Sequence, residues 1–112
     1  MTKLNVVQKN WEFQKIINAK KQFVSKNVII YYLPSPIFKV GISIPKTFAN
    51  AVLRNKYKNQ IRQIIRKNNF EDILIQSVII IRKPFFNLDF SSKEKEIQKI
   101  YERIRSAQKN KI

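Results

Sequence analysis

A chain of 112 residues carrying 23 Lys and Arg against 7 Asp and Glu, a net charge of +16, is long enough for one domain with one core, and its 44% hydrophobic content excludes a disordered basic tail. With no His and no Cys, and with its carboxylates scattered, it has no disulfide framework, no thiolate or imidazole nucleophile and no convergent ligand set, so neither a catalytic residue nor a protein-bound metal is expected. The longest uninterrupted apolar run, Val28 to Leu33, spans six residues against the roughly 20 of a membrane-spanning helix, and the N-terminus lacks a signal-peptide core; a cytoplasmic protein without membrane contact is the expectation.

From Gln8 to Ala19 the apolar Phe13, Ile16 and Ile17 recur at helical spacing and predict a short first helix. Two segments, 27–33 and 39–44, are rich in Val, Ile and Tyr. Pro34-Ser35-Pro36 between them blocks helix and offers a turn, which predicts a β-hairpin with room to extend backwards through Phe23. Between Thr47 and Asn68 the period is helical again. Val52 or Leu53, then Tyr57, Ile61, Ile64 and Ile65, form its buried stripe, and Thr47 or Asn50 caps its start. The run from Ile73 to Ile81 is almost continuously β-branched, as suits a strand covered on both faces, and Lys83-Pro84 ends it. At Ser91 a capping box with Glu94 opens a last helix that aligns Ile97, Ile100, Tyr101 and Ile104. The order α-β-β-α-β-α, with room for a further short strand before the central helix, predicts an α+β fold, a small sheet with helices packed on it, its strand order open.

Charge is distributed as well as abundant. Between Glu12 and Glu71 no acidic residue occurs, while cations run from Lys15 to Lys67. A bias toward Lys, Ile and Asn would raise the Lys count, but it would not remove carboxylates from half a chain. Folded together, such a segment makes a continuous positive surface that attracts phosphates. On the central helix Arg54, Lys58, Arg62 and Arg66 are four apart, each about 40° around from the last, along roughly 18 Å of one face. Like charges at this spacing cost a few tenths of a kcal/mol per pair, which bound phosphates would offset. Only six residues of the chain are Arg, yet three sit on this face, where a planar fork binds phosphate bidentately. A merely solvated face normally carries both signs. Lys56 and Lys67 widen the basic surface. Phe13, Tyr31 and Tyr32 are candidates to stack unpaired bases, each worth about 1–3 kcal/mol, with core packing as the competing role. Tyr31 and Tyr32 must face opposite sides of their strand.

The segment from Lys46 to Arg62, KTFANAVLRNKYKNQIR, resembles the signature helix of the bacterial ribonuclease P protein family: Asn50, Ala51, Val52, Arg54, Asn55, Lys58 and Arg62 match it, and Lys56 is a conservative replacement. The likeness reaches Glu12-Phe13-Gln14-Lys15 on one side and Ile81-Arg82-Lys83-Pro84 on the other. It implies a fold similar to the second domain of ribosomal protein S5, with a left-handed βαβ crossover that the usual handedness rule would reject. It also implies that Arg54, Asn55, Lys56, Lys58 and Arg62 contact a catalytic RNA, and the spacing of the stripe adds Arg66 to that set. Phe13, Ile17, Tyr31 and Lys46 would lie in or near a cleft for the single-stranded 5′ leader of precursor tRNA. Chemistry would belong to the RNA, with Mg²⁺ bound mainly there, and no obligatory protein partner is implied. Departures from the family pattern are Ala49 and Ala19 for Gly, Asn59 for Arg and Ile17 for an aromatic residue. A ribosomal or other structured-RNA-binding protein, and a duplex DNA binder, are the competing readings.

Overall fold

The computed structural model describes residues 9–47 and 49–109 of the chain, so Gln8, where the first helix was expected to open, and Phe48, beside Ala49, fall outside it. Helix α1 (Asn10–Asn18) is followed by strands β1 (Gln22–Val24), β2 (Val28–Pro34) and β3 (Lys39–Ser43), helix α2 (Ala51–Asn68), strand β4 (Ile75–Ile81), a 3-10 helix (Lys83–Asn87) and helix α3 (Phe90–Lys109). One mixed sheet has the order β1-β2-β4-β3.

The expected hairpin between β2 and β3 does not form. β4 lies between them, antiparallel to β2 from Val28↔Ile81 to Pro34↔Ile75 and parallel to β3 from Lys39↔Gln76 to Ser43↔Ile80. Two causes act together. Tight hairpin turns need positive φ at a central residue, which Pro34-Ser35-Pro36 does not supply. β4, meanwhile, is apolar on both faces and so is best placed in the middle. The linking segment is instead tied to the start of β4, Ser35 N–H donating to the Leu74 carbonyl at 3.0 Å. The hairpin that does form joins β1 to β2, and Ser25 clamps its turn: the Ser25 hydroxyl donates to the Val28 carbonyl at 3.0 Å and accepts from Val28 N–H at 3.1 Å. β3 reaches β4 through α2, the crossover that parallel neighbours require.

Alternation along the strands sorts the residues onto two faces. Val28, Ile30, Val40, Ile42, Ile75, Ile79 and Ile81 face α2 and α3 and meet Ile61, Ile64, Ile65, Ile97, Ile100, Tyr101 and Ile104 in the main core. The opposite face carries Tyr31, Val78 and Ile80 beneath Phe13 and Ile16 of α1. Tyr32 points into the first face, where it stacks on Phe23 at 5.7 Å. The one buried polar side chain of β4, Ser77, is satisfied by the Tyr101 hydroxyl at 2.7 Å and the Lys39 carbonyl at 3.3 Å. Burial holds the Tyr101 phenol far above its usual range, so it remains a neutral partner there.

Helix boundaries follow their caps. Asn50, rather than Thr47, starts α2, its Oδ1 accepting from Leu53 N–H at 2.9 Å. Asn69, left-handed at φ 53°, ends it. The capping box at Ser91 and Glu94 is not used, because Asp89 intervenes two residues earlier and accepts from Ser92 N–H at 2.8 Å, so that α3 begins at Phe90. Hydrogen bonds from Ser92, its side chain first and its backbone N–H second, lower the pKa of the Asp89 carboxyl. Neither Val52 nor Leu53 joins the buried stripe. They are 78% and 40% exposed, since the buried residues of α2 begin only at Ile61.

Candidate nucleic-acid interface

The two ends of α2 do different work. Its C-terminal half is fixed to the core by Ile61, Ile64 and Ile65, and Arg54, Lys58, Arg62 and Arg66 run along the helix beside that buried face, turning from its edge at Arg54 to the exposed side at Arg66. Arg54, Lys58 and Arg62 are half-buried along their stems, and Arg66, Asn55 and Lys56 are exposed. Among the described residues, the carboxylates that form ion pairs are Glu12 with Lys39 (3.5 Å), Glu94 with Lys67 (3.3 Å), and Asp72 (2.7 Å) and Glu102 with Arg105. None reaches the four cations of the stripe. Arg62 donates through one terminal nitrogen to Asn59 Oδ1 at 3.1 Å, a neutral contact that orients the guanidinium and leaves its charge uncompensated. The Nε of Arg54 is buried and finds no acceptor among the described residues. Lys67 does not widen the free surface as expected, being drawn toward Glu94 on α3; Lys56 has no such partner.

On the other face of the sheet, Phe13 and Tyr31 come together against Ile16 and Val78, all four within one small cluster. Ile17, one residue further along α1, is half-buried. Lys46 is exposed in the turn after β3, beyond the row that pairs Ser43 with Ile80. Thus the structure unites Phe13 with Tyr31 and leaves Ile17 and Lys46 at the margins. Glu12 closes one side of this region by its ion pair with Lys39, and its other carboxylate oxygen accepts from Lys9 N–H at 3.2 Å.

A third feature had no counterpart in the sequence reading. At the start of α2, Leu53 and Tyr57 face the 3-10 helix, and the Tyr57 ring packs on Phe86 with centroids 4.7 Å apart. Behind it the ammonium of Lys93, a residue only 5% exposed, lies 4.8 Å from the Tyr57 centroid and donates to Gln60 at 3.2 Å. Desolvation lowers the Lys93 pKa, Lys56 lowers it further, and Asp89 acts in the opposite direction. The signal for this feature was the pair Phe85-Phe86 directly after Lys83-Pro84, one ring buried and the next half-exposed.

No three His, Cys, Asp or Glu side chains converge among the described residues, and none of their helices is long and apolar enough to cross a membrane. A carboxylate-free row of guanidinium and ammonium groups on a rigid helix defines a class of protein, one that presents its charge to a polyanion. The sequence profile of the Ribonuclease P family matches residues 1–105. The ribonuclease P protein component of Mycoplasmopsis pulmonis is 50% identical over 107 residues, covering 95% of this chain and 96% of that one. Among solved structures, the ribonuclease P protein of Staphylococcus aureus superposes with a TM-score of 0.74 at 25% identity, over 89% of this chain and 94% of that one. That of Thermotoga maritima shares the fold at a TM-score of 0.78 and 21% identity, over 88% and 96%. The chain belongs to the ribonuclease P protein family.

Proposed function

We propose that this chain is the protein subunit of a ribonuclease P ribonucleoprotein, an endoribonuclease holoenzyme in which RNA is the catalyst. It binds that catalytic RNA through Arg54, Asn55, Lys56, Lys58, Arg62 and Arg66. It holds the 5′ leader of precursor tRNA against Phe13 and Tyr31, with Ile17 and Lys46 beside them. The observation that carries this reading is the stripe on α2, four cations that meet no carboxylate among the described residues, in a chain of this family.

The physical roles divide between the sheet faces. On the α2 face, cations that displace counterions from phosphates bind an RNA backbone without reading its sequence. On the α1 face, half-exposed rings beside a sheet suit an unpaired strand, whose bases stack on them. One small subunit can therefore hold enzyme RNA and substrate together, which raises substrate affinity and does part of the charge screening otherwise left to metal ions. Mg²⁺ supplies the activation of water for phosphodiester hydrolysis when bound. The ion would be bound mainly by the RNA. The cytoplasm is the corresponding location.

Reconstitution tests the proposal. Added to its matching catalytic RNA at low Mg²⁺, the protein should accelerate removal of the leader from precursor tRNA. If neither cleavage nor substrate affinity changes, a ribosomal-type structured-RNA binder is the better description.

A further inference from the structure

Helix α1 buries one side and leaves the other to solvent. Ile16 is fully buried against the sheet with Phe13 half-buried beside it, whereas Trp11, Gln14, Lys15 and Asn18 are exposed. At about 100° per residue, Trp11 stands about 160° around the helix from Phe13, and Lys15 follows Trp11 by one turn on the same side. The indole of Trp11 is 61% exposed, and no ring of the described residues stacks on it. The one carboxylate of the helix, Glu12, is drawn toward Lys39 of β3 at 3.5 Å, so the face that holds Trp11 carries positive charge only.

An isolated indole among Gln14, Lys15 and Asn18 makes no contiguous apolar patch of the kind a protein partner covers. It is sufficient for one base, which stacks on a single ring and needs only a cation near its phosphate. We infer that Trp11 and Lys15 extend the path of the 5′ leader over the outer face of α1, the indole stacking on an unpaired base and the ammonium meeting the adjoining phosphate. The inference rests on the leader-binding reading above. Position selects the leader over the catalytic RNA: Trp11 shares α1 with Phe13, while the stripe of α2 lies across the sheet. A strand leaving Phe13 and Tyr31 crosses the breadth of α1, about 10–12 Å, before it reaches Trp11. Trp11 therefore meets nucleotides nearer the free 5′ end of the leader than those held in the cleft, and only a leader long enough to cross the helix engages it.

Trp11 is the only tryptophan of the chain, so the intrinsic fluorescence of the unaltered protein reports this site alone. The full-length protein, assembled with the ribonuclease P RNA, is titrated with precursor tRNAs whose leaders are shortened stepwise from the 5′ end, and with tRNA lacking a leader. Long leaders should quench the emission. The quench should disappear at a leader length that still raises affinity over leaderless tRNA, because Phe13 and Tyr31 are reached first. Trp11→Leu, at an exposed position, should weaken binding of the long-leader substrate roughly tenfold with an unchanged salt slope, and should leave short-leader binding as in the wild type. Trp11→Phe, which keeps a ring, should recover most of the loss. Lys15→Ala should lower the salt slope by about one for the long leader only. Wild-type affinity of Trp11→Leu for the long-leader substrate would overturn the inference, as would a quench complete with the catalytic RNA alone; neither touches the subunit assignment. A wild-type protein that confers no preference for a leader of any length would instead remove the leader-binding reading itself.

Discussion

At the scale of single residues, an unpaired cation is the informative object, because a charge that the fold leaves uncompensated marks where an outside partner supplies the compensation. Arg62 is the cleanest instance. Its guanidinium is oriented by Asn59 and meets no carboxylate among the described residues. Replacing Arg62 with Ala should lower the slope of log affinity against log salt by about one, measured by titration with the catalytic RNA. An unchanged slope would return Arg62 to an ordinary solvated surface. The stripe was legible in the sequence because its four members share one helix and a fixed period. The pairing of Lys39 with Glu12 and of Lys67 with Glu94 was not, since each crosses 27 residues and depends on how separate elements meet. The same limit applies to Ala19, where the family has Gly: the left-handed residue after α1 is Lys20, at φ 61°, and Ala19 is helical.

At the scale of elements, local signals gave the helices and the strands, while pairing lay beyond them. Asn50 and the Ile61, Ile64, Ile65 stripe located α2, and Ile97, Ile100, Tyr101 and Ile104 located the buried face of α3. The absent β2–β3 hairpin shows why adjacency in sequence is a weak guide: β4, arriving later, is the strand with two apolar faces and takes the centre of the sheet. Its one buried polar side chain, Ser77, binds β4 to α3 through Tyr101. Ser77→Ala should destabilise the protein by about 1–3 kcal/mol by leaving the buried Tyr101 hydroxyl without its partner, whereas Tyr101→Phe, which leaves Ser77 its contact with the Lys39 carbonyl, should cost about 0.5–1.5 kcal/mol. Denaturant midpoints of the two variants would check the order. The reverse order would mean that another group satisfies the phenol.

At the scale of the whole molecule, the fold separates its charges and its aromatic surfaces. The carboxylates of α3 and of the turn before β4 bind Lys67 and Arg105, while the stripe on α2 keeps its field undiluted. Phe13 and Tyr31 occupy the opposite face of the sheet, so the proposed binding of two RNA segments at once would use one face for each. The most direct measurement is the affinity for precursor tRNA with its 5′ leader relative to the same tRNA without it, taken for the catalytic RNA alone and then with the protein added. The expected result is a preference for the leader-bearing RNA that appears, or grows at least severalfold, only when the protein is present. A ratio that the protein leaves unchanged would contradict a role in holding the substrate.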